Sequence, residues 1–317
     1  MKIPTKRATG SAHGKIILIG EHSVVHHQPA IAIPFTSATV DVFIDPIMGD
    51  VLIDSLYYKG KMKEAPASLN NLKETLHGVA LYLGVQAKDM KITINSSIPS
   101  ERGMGSSAAV ATALVRALFD YFERELSHDL LNQFVDVAEK IAHGNPSGID
   151  ASVVRSDDAV YFIRNQKTEH FDSHLPAYLV VADTGQEGET IHAVADVGKL
   201  VADERTDGRK WIEELGQLTI EARKKIEEVK VKELGQILSR AQVLLKNLTV
   251  SNDALDQLVA SAMEHGALGA KLTGGGRGGC MIALVETFEQ AETLADKLIE
   301  AKAIKTWIHP LGVDNDG

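Results

Sequence analysis

From Thr36 to Asp45 the chain alternates, with Ala38, Val40, Val42 and Ile44 apolar and polar residues between most of them. That period of two is the pattern of a strand with one buried face. Two further runs, Lys15–Gly20 (KIILIG) and Met90–Ser97 (MKITINSS), read as partner strands of an antiparallel or mixed sheet. The period then changes. Residues 68–83 carry helical spacing, and 108–122 (AAVATALVRALFDYF) are apolar around nearly the whole helical circumference, which predicts a buried central helix. A third helix, over roughly 128–143, ends at the breaker series His143, Gly144, Asn145, Pro146.

Beyond a short strand at 159–164 lies a polar stretch with Asn165, Gln166, Lys167, Asp172 and Ser173, where a domain boundary is expected, giving domains 1–174 and 175–317. The second begins with the strand AYLVVAD at 177–183. Charged helical patterns fill 189–264, and two short strands (GAKLT, MIALV), a helix near 287–301 and a last strand (KTWIHP) follow. The outer elements spell the split βαβ order with helices inserted, so the expected class is α+β.

Composition narrows the function. A charged share of 24% beside 44% hydrophobic residues suits a globular chain. No window approaches the roughly 18 apolar residues needed to span a bilayer, and the first residues lack an apolar signal core, so neither membrane insertion nor export is expected. A lone cysteine, Cys280, cannot pair internally and agrees with a reducing, cytoplasmic setting. A net charge of -10 speaks against nucleic acid as a partner, because counterion displacement needs a basic face. If a nucleotide binds, its positive field must be local.

Two glycine clusters could supply such a field. In PSERGMGSSAAVATAL (99–114), a turn with Gly103 and Gly105 runs directly into the buried helix. The first N–H groups of that helix lack internal partners and carry the positive end of its dipole, so a phosphate can dock there. Ser106 and Ser107 are expected to cap it, and one hydroxyl could reach a magnesium ion. The common G-x-x-x-x-G-K-[ST] loop is absent, and the same small residues would equally make an ordinary capped helix start. The second cluster, KLTGGGRGGCMIAL (271–284), places five glycines around Arg277, in keeping with a ligand-approach loop or a flexible hairpin.

Charged residues stand nearby in sequence. Glu21, His22, His26 and His27 follow the first strand; a zincin needs H-E-x-x-H on a helix, and the order here is reversed. On the third helix Leu131, Val135, Ala138 and Ala142 form a stripe, with Glu139 roughly 40° beyond its edge, which suits a snorkelling charge as well as an inward one. Asp150 follows HGNPSGID, a tight segment that could aim a carboxylate into a cleft or simply cap a helix.

Taken together and in order, GKIILIGEHSVVHHQPAIAIP, PSERGMGSSAA with HGNPSGID, and KLTGGGRGGC resemble the galacto-, homoserine, mevalonate and phosphomevalonate (GHMP) kinase superfamily, over about residues 8–285. The resemblance implies an N-terminal mixed-sheet α/β domain and a C-terminal ferredoxin-like domain with extra helices. The GEHSVVHHQPAIA wording and HGNPSGID are similar to the branch that phosphorylates mevalonate, so ATP and mevalonate are the implied substrates and Mg2+ the implied ion. Residue by residue, it implies a triphosphate cradle of Pro99, Glu101, Arg102, Gly103, Met104, Gly105, Ser106, Ser107 and Ala108. It further implies magnesium held by Ser107 and Glu139, Asp150 as base, and Lys15 as its cationic neighbour. Glu21 and His22 would lie at the acceptor pocket, where His22 hydrogen-bonds the acid substrate, with Thr273 and Gly274 closing the site from the second domain. Relatives of this kind often form homodimers. The rival acceptors are phosphomevalonate or another small alcohol, and the rival class is a non-catalytic ligand sensor. His13, Glu101, Arg102 and Arg277 depart from the pattern of the animal enzymes, and the two arginines are expected either to add phosphate contacts or to rim the cleft.

Overall fold

Strand β1 (Ala8–Ile19) and strand β2 (Ala30–Pro46) extend further than their apolar patterns predict, and each passes from one compact unit of the protein into a second. The computed structural model describes residues 6–143, 153 and 158–312. Its first unit comprises the described residues of Met1–Gly14, Ala38–Pro99 and Gly105–Arg155; the second comprises those of Lys15–Ser37, Ser100–Met104 and Ser156–Gly317.

In the first unit, Val40–Pro46 of β2 pairs antiparallel with β5 (Met90–Ser96), with Val42 opposite Ile94 and Ile44 opposite Ile92. Alternation is obeyed: Ala38, Val40, Val42 and Ile44 are fully buried. Two three-residue strands absent from the sequence reading complete this edge, β3 (Leu52–Asp54) parallel to β5 and β4 (Lys59–Lys61) antiparallel to β3. They are too short and too charged to show a period, and Asp54 ties them by 3.0 Å ion pairs to Lys59 and Lys91. Helices α1 (Asn70–Leu83), α2 (Ser106–Tyr121) and α3 (His128–His143) pack on one another, with α2 buried as its apolar circumference predicts. Gly10 of β1 lies so close to α2 that a Cβ there would sit 2.2 Å from the Ala113 carbonyl oxygen, which explains why alanines line that side of the helix.

The second unit holds a four-stranded sheet in the order β11 (Lys305–Pro310), β8 (Tyr178–Asp183), β10 (Cys280–Val285), β9 (Gly269–Thr273), every pair antiparallel. This is the split βαβ arrangement. Residues of β8 and β10 are buried throughout, so these central strands read as continuous apolar runs. The charged region between β8 and β9 resolves into α4 (Thr190–Ala202), α5 (Gly208–Glu227), α6 (Val231–Asn247) and α7 (Asp253–Glu264). Helix α8 (Phe288–Glu300) joins β10 to β11 and starts with a capping box between Thr287 and Gln290. Residues Ala30–Ala32 of β2 pair with β6 (Ala159–Phe162), and β7 (Glu169–Phe171) adds to β6. The polar stretch expected as a plain boundary thus contains a strand. A distant residue secures it: Arg223 of α5 stacks on Tyr161 and Phe171 and bridges Glu169 at 2.7 Å. Among the described residues, no helix is long and apolar enough to cross a membrane.

Candidate active site

The second unit carries most of the expected site residues. Strand β1 delivers Lys15, which is buried, and the Lys15 N–H donates to the Met104 carbonyl at 3.0 Å, fixing the strand against residues 100–104. The chain then turns at Gly20, whose φ of 105° and approach to Ala30, 2.5 Å from a hypothetical Cβ, admit no side chain. Glu21 and His22 follow in a turn held by a bond from the Val24 N–H to the Gly20 carbonyl at 3.1 Å and one from the Ser23 hydroxyl to the same carbonyl at 3.2 Å.

Glu21 is wholly buried and meets a partner that sequence reasoning did not single out, Lys271 of β9, which is equally buried. Lys271 Nζ binds Glu21 Oε1 and also donates to the Leu272 carbonyl at 2.6 Å. Burial pushes the Glu21 carboxyl above its usual range, opposed by the Lys271 charge, and the same burial pushes Lys271 down. Lys271 was legible only as a strand residue shortly before a glycine-rich loop, because its place in β9 gives no hint of a charge partner 250 positions away.

His22 is buried, and its Nε2 lies 3.0 Å from the Gly275 carbonyl. Burial is the main reason that its pKa falls from 6.5 to about 4, with neighbouring positive charges adding to the effect. The ring is therefore neutral near pH 7. Among the described residues, neither Glu21 Oε2 nor His22 Nδ1 has a hydrogen-bond partner. His26 is half-buried and His27 exposed, and among the described residues no three His, Cys, Asp or Glu side chains gather as a metal-binding group. Thr273 is buried and donates through Oγ1 to the Ile17 carbonyl at 2.9 Å, so β9 is latched to β1.

The two glycine clusters meet in this unit. A Cβ on Gly103 would stand 3.0 Å from Gly274 Cα, and both residues have positive φ, so this approach requires glycine on both sides. Glu101 is exposed, and its carbonyl accepts from the Gly188 N–H at 3.0 Å. Met104 is buried, in sulfur contact with Cys280 at 3.6 Å. Arg102, expected to contact phosphate or rim the cleft, is turned to other partners: Asp183 at 3.1 Å, the Gly185 carbonyl at 3.1 Å and the Ser100 carbonyl at 3.5 Å. Arg277, at φ 57°, is likewise engaged by Asp196 at 2.9 Å and the Thr249 carbonyl at 3.2 Å. Both arginines shape the loops on which they stand.

In the first unit, α2 begins after Gly105, whose φ of 71° and ψ of 27° place it in the left-handed region as N-cap. The expectation that Ser106 and Ser107 cap this helix is corrected: no side chain caps it, because both serines lie inside the first turn. Among the described residues, the first N–H groups of α2 consequently meet no capping side chain, which is what an anion cradle needs. Pro99, Ser106 and Ser107 are half-buried and Ala108 is buried. Asn71 Nδ2 donates to Ser107 Oγ at 3.4 Å. Glu139, on α3, is only 3% exposed, further inward than a snorkelling side chain would be. A buried carboxylate and a helix-start hydroxyl are both hard oxygen donors, the chemistry that Mg2+ takes alongside waters and phosphate oxygens. Asp150 and the HGNPSGID turn after His143 lie outside the described residues.

Comparison with known proteins agrees with this arrangement. The GHMP kinase N-terminal domain matches residues 69–155, and the GHMP kinase C-terminal domain matches residues 222–304. The mevalonate kinase of Thermococcus sibiricus is 31% identical, covering 97% of this chain and 98% of its own. Among solved structures, mevalonate kinase from methicillin-resistant Staphylococcus aureus is 33% identical, with a TM-score of 0.76 over 98% of this chain and 100% of that one. L. major mevalonate kinase in complex with R-mevalonate is 26% identical, with a TM-score of 0.83 over 99% and 98% of the two chains.

Proposed function

The chain belongs to the GHMP kinase family, among its mevalonate kinases, and from that premise we infer that it transfers the γ-phosphoryl group of ATP to the primary hydroxyl of mevalonate. The products are 5-phosphomevalonate and ADP, and the reaction serves isoprenoid precursor synthesis. The observation that carries this reading is identity along the whole length: mevalonate kinases of Thermococcus sibiricus and Staphylococcus aureus are 31% and 33% identical over 97% and 98% of this chain, whereas a galactokinase and a phosphomevalonate kinase that span it comparably are 18% and 17% identical.

Phosphoryl transfer asks a protein for position and charge more than for covalent participation. The hydroxyl oxygen forms a bond to the γ-phosphorus as the bond from that phosphorus to the β,γ-bridging oxygen breaks. Asp150 takes the hydroxyl proton. Lys15 offsets charge that builds on the transferred group. The residues from Pro99 to Ala108 cradle the triphosphate, with the uncapped start of α2 supplying N–H donors. Ser107 and Glu139 are the residues that would hold Mg2+, which when bound neutralises phosphate charge. Glu21, His22, Thr273 and Gly274 form the acceptor side. A single buried cysteine suits a cytoplasmic enzyme.

An ADP-release assay over a panel of small alcohols tests the reading. Turnover with mevalonate and magnesium-ATP is the expected result. Turnover of phosphomevalonate but not mevalonate would transfer the chain to another branch, and binding without turnover of any alcohol would make it a sensor.

A further inference from the structure

Arg102 and Met104 flank Gly103, and each is anchored to one member of a single cross-strand pair. Asp183, the last residue of β8, stands opposite Cys280, the first of β10. Arg102 Nε donates to Asp183 Oδ1 at 3.1 Å, and the Met104 sulfur lies 3.6 Å from Cys280 Sγ. The same carboxylate oxygen accepts from the Gly185 N–H at 2.8 Å, while Arg102 Nη2 donates to the Gly185 carbonyl at 3.1 Å. The arginine and the turn after β8 therefore close on each other. The pair is withdrawn from water, with side-chain exposures of 13% for Arg102 and 3% for Asp183. Salt screens such a pair little, and removing one partner strands the other.

The backbone between these anchors needs holding. Glu101 and Gly103 both lie in the left-handed region, at φ 58° and 76°, and for a glutamate that region is strained. A strained backbone persists only where its surroundings fix it. Main-chain bonds do part of this, from the Gly188 N–H to the Glu101 carbonyl and from the Lys15 N–H to the Met104 carbonyl, each at 3.0 Å. A Cβ on Gly279 would stand 3.1 Å from the Arg102 carbonyl oxygen, so the second glycine cluster lies directly against this residue. The Arg102 guanidinium commits Nε and Nη2, an edge that could fork onto a phosphate, to Asp183 and Gly185 instead.

We propose that Arg102 is a positioning residue for the nucleotide and not a ligand of it: its pairing with Asp183, beside the contact of Met104 with Cys280, holds Gly103 in the conformation that receives the triphosphate. The proposal rests on the ATP-dependent reading of the site. It gives Asp183, which has no place in the phosphate cradle itself, control over ATP affinity.

The test measures magnesium-ATP binding by calorimetry and steady-state kinetics in the wild type, Arg102→Gln, Asp183→Asn and the double variant. Were Arg102 a phosphate ligand, Asp183→Asn would release its guanidinium toward the nucleotide and leave ATP bound as tightly or more so. Positioning requires the reverse. Both single variants should weaken ATP binding by about 10- to 100-fold, the size of effect that misplacing a binding group produces. The double variant should be no weaker than the worse of the two, because both substitutions remove one interaction. KM for ATP should rise in parallel while KM for mevalonate stays unchanged; a merely structural role would lower the melting temperature and move neither. Wild-type ATP affinity in Asp183→Asn, or losses that add in the double variant, would overturn the proposal. Should Asp183→Asn not fold, the Arg102 Nε–H signal of the wild type decides by NMR. Its protection from solvent exchange should be the same before and after magnesium-ATP is added, and protection that appears only with nucleotide overturns the proposal. A wild type that binds ATP but does not phosphorylate mevalonate would bring down the functional reading alone, with the binding comparison still deciding this one. A wild type that binds no ATP would bring down both.

Discussion

Lys271 and Glu21 form a fully buried charge pair, 250 residues apart in sequence, at the point where the middle of β9 meets the turn after β1. Two buried charges offset each other's desolvation only while both are present. Lys271→Met, which strands the carboxylate, is therefore expected to destabilise the protein by about 3–5 kcal/mol, and pairing it with Glu21→Met should recover most of that loss. Urea unfolding of the single and double variants checks this. Equal instability of the two would mean that packing volume, not charge, governs the site.

The buried His22 links stability to pH. Its pKa is about 4 in the folded protein against 6.5 as the ordinary value, so the unfolded chain binds its proton more readily. Stability from this group is fully present above pH 6.5, is lost as the pH falls toward 4, and changes no further below that. A difference of that size is worth about 3 kcal/mol. His22→Phe should flatten the stability profile across this window, as read by thermal or urea melts at successive pH values. An unchanged profile would place the acid sensitivity elsewhere.

Much of the architecture was legible in the sequence because it rests on local periodicity. The apolar circumference of 108–122 became the buried α2, and the alternation of Ala38, Val40, Val42 and Ile44 became the inward face of β2. The split βαβ order emerged as the sheet β11-β8-β10-β9. What escaped was non-local. Strand β7 exists because it pairs with β6 and because Arg223 clamps it, and neither partner can be seen in Glu169–Phe171. Lys271 looked like an ordinary strand residue, and Arg102 and Arg277, read as adding phosphate contacts or rimming the cleft, gave no sign in sequence of the partners that hold them, Asp183 and Asp196, each 81 positions away. Ser106 and Ser107 were read as caps since serine favours that position, yet a left-handed Gly105 occupies it and leaves them as the first two residues of the helix. Asp150 and its turn were read from the motif, and that segment lies outside the described residues.

Two glycines make a controlled contrast. At Gly10 a Cβ would lie 2.2 Å from the Ala113 oxygen and 2.4 Å from the Ala117 nitrogen, both backbone atoms of α2 that cannot move alone. Gly10→Ala should cost about 3 kcal/mol by forcing strand and helix apart. Gly198 lies within α4, and a Cβ there meets nothing within 4 Å. Gly198→Ala should stabilise by about 0.5–1 kcal/mol, through the lower backbone entropy of the unfolded chain. Denaturant melts of the two variants should shift in opposite directions. A tolerated Gly10→Ala would contradict the close approach of β1 to α2.

The proposed division of labour between Asp150 and Glu139 predicts different kinetic signatures. Asp150→Asn removes a base without altering phosphate contacts, so kcat should fall by about 10²- to 10⁴-fold while ATP binding is retained. Glu139→Gln replaces a buried anionic oxygen donor by a neutral amide, and it should raise the Mg2+ concentration needed for half-maximal rate. Saturating magnesium should then restore much of the lost turnover in Glu139→Gln and none in Asp150→Asn. Steady-state rates across a magnesium titration, with nucleotide binding followed separately by calorimetry, distinguish the two. Unchanged turnover in Asp150→Asn would remove it as the base, and a magnesium response identical to wild type in Glu139→Gln would remove that carboxylate from the metal site.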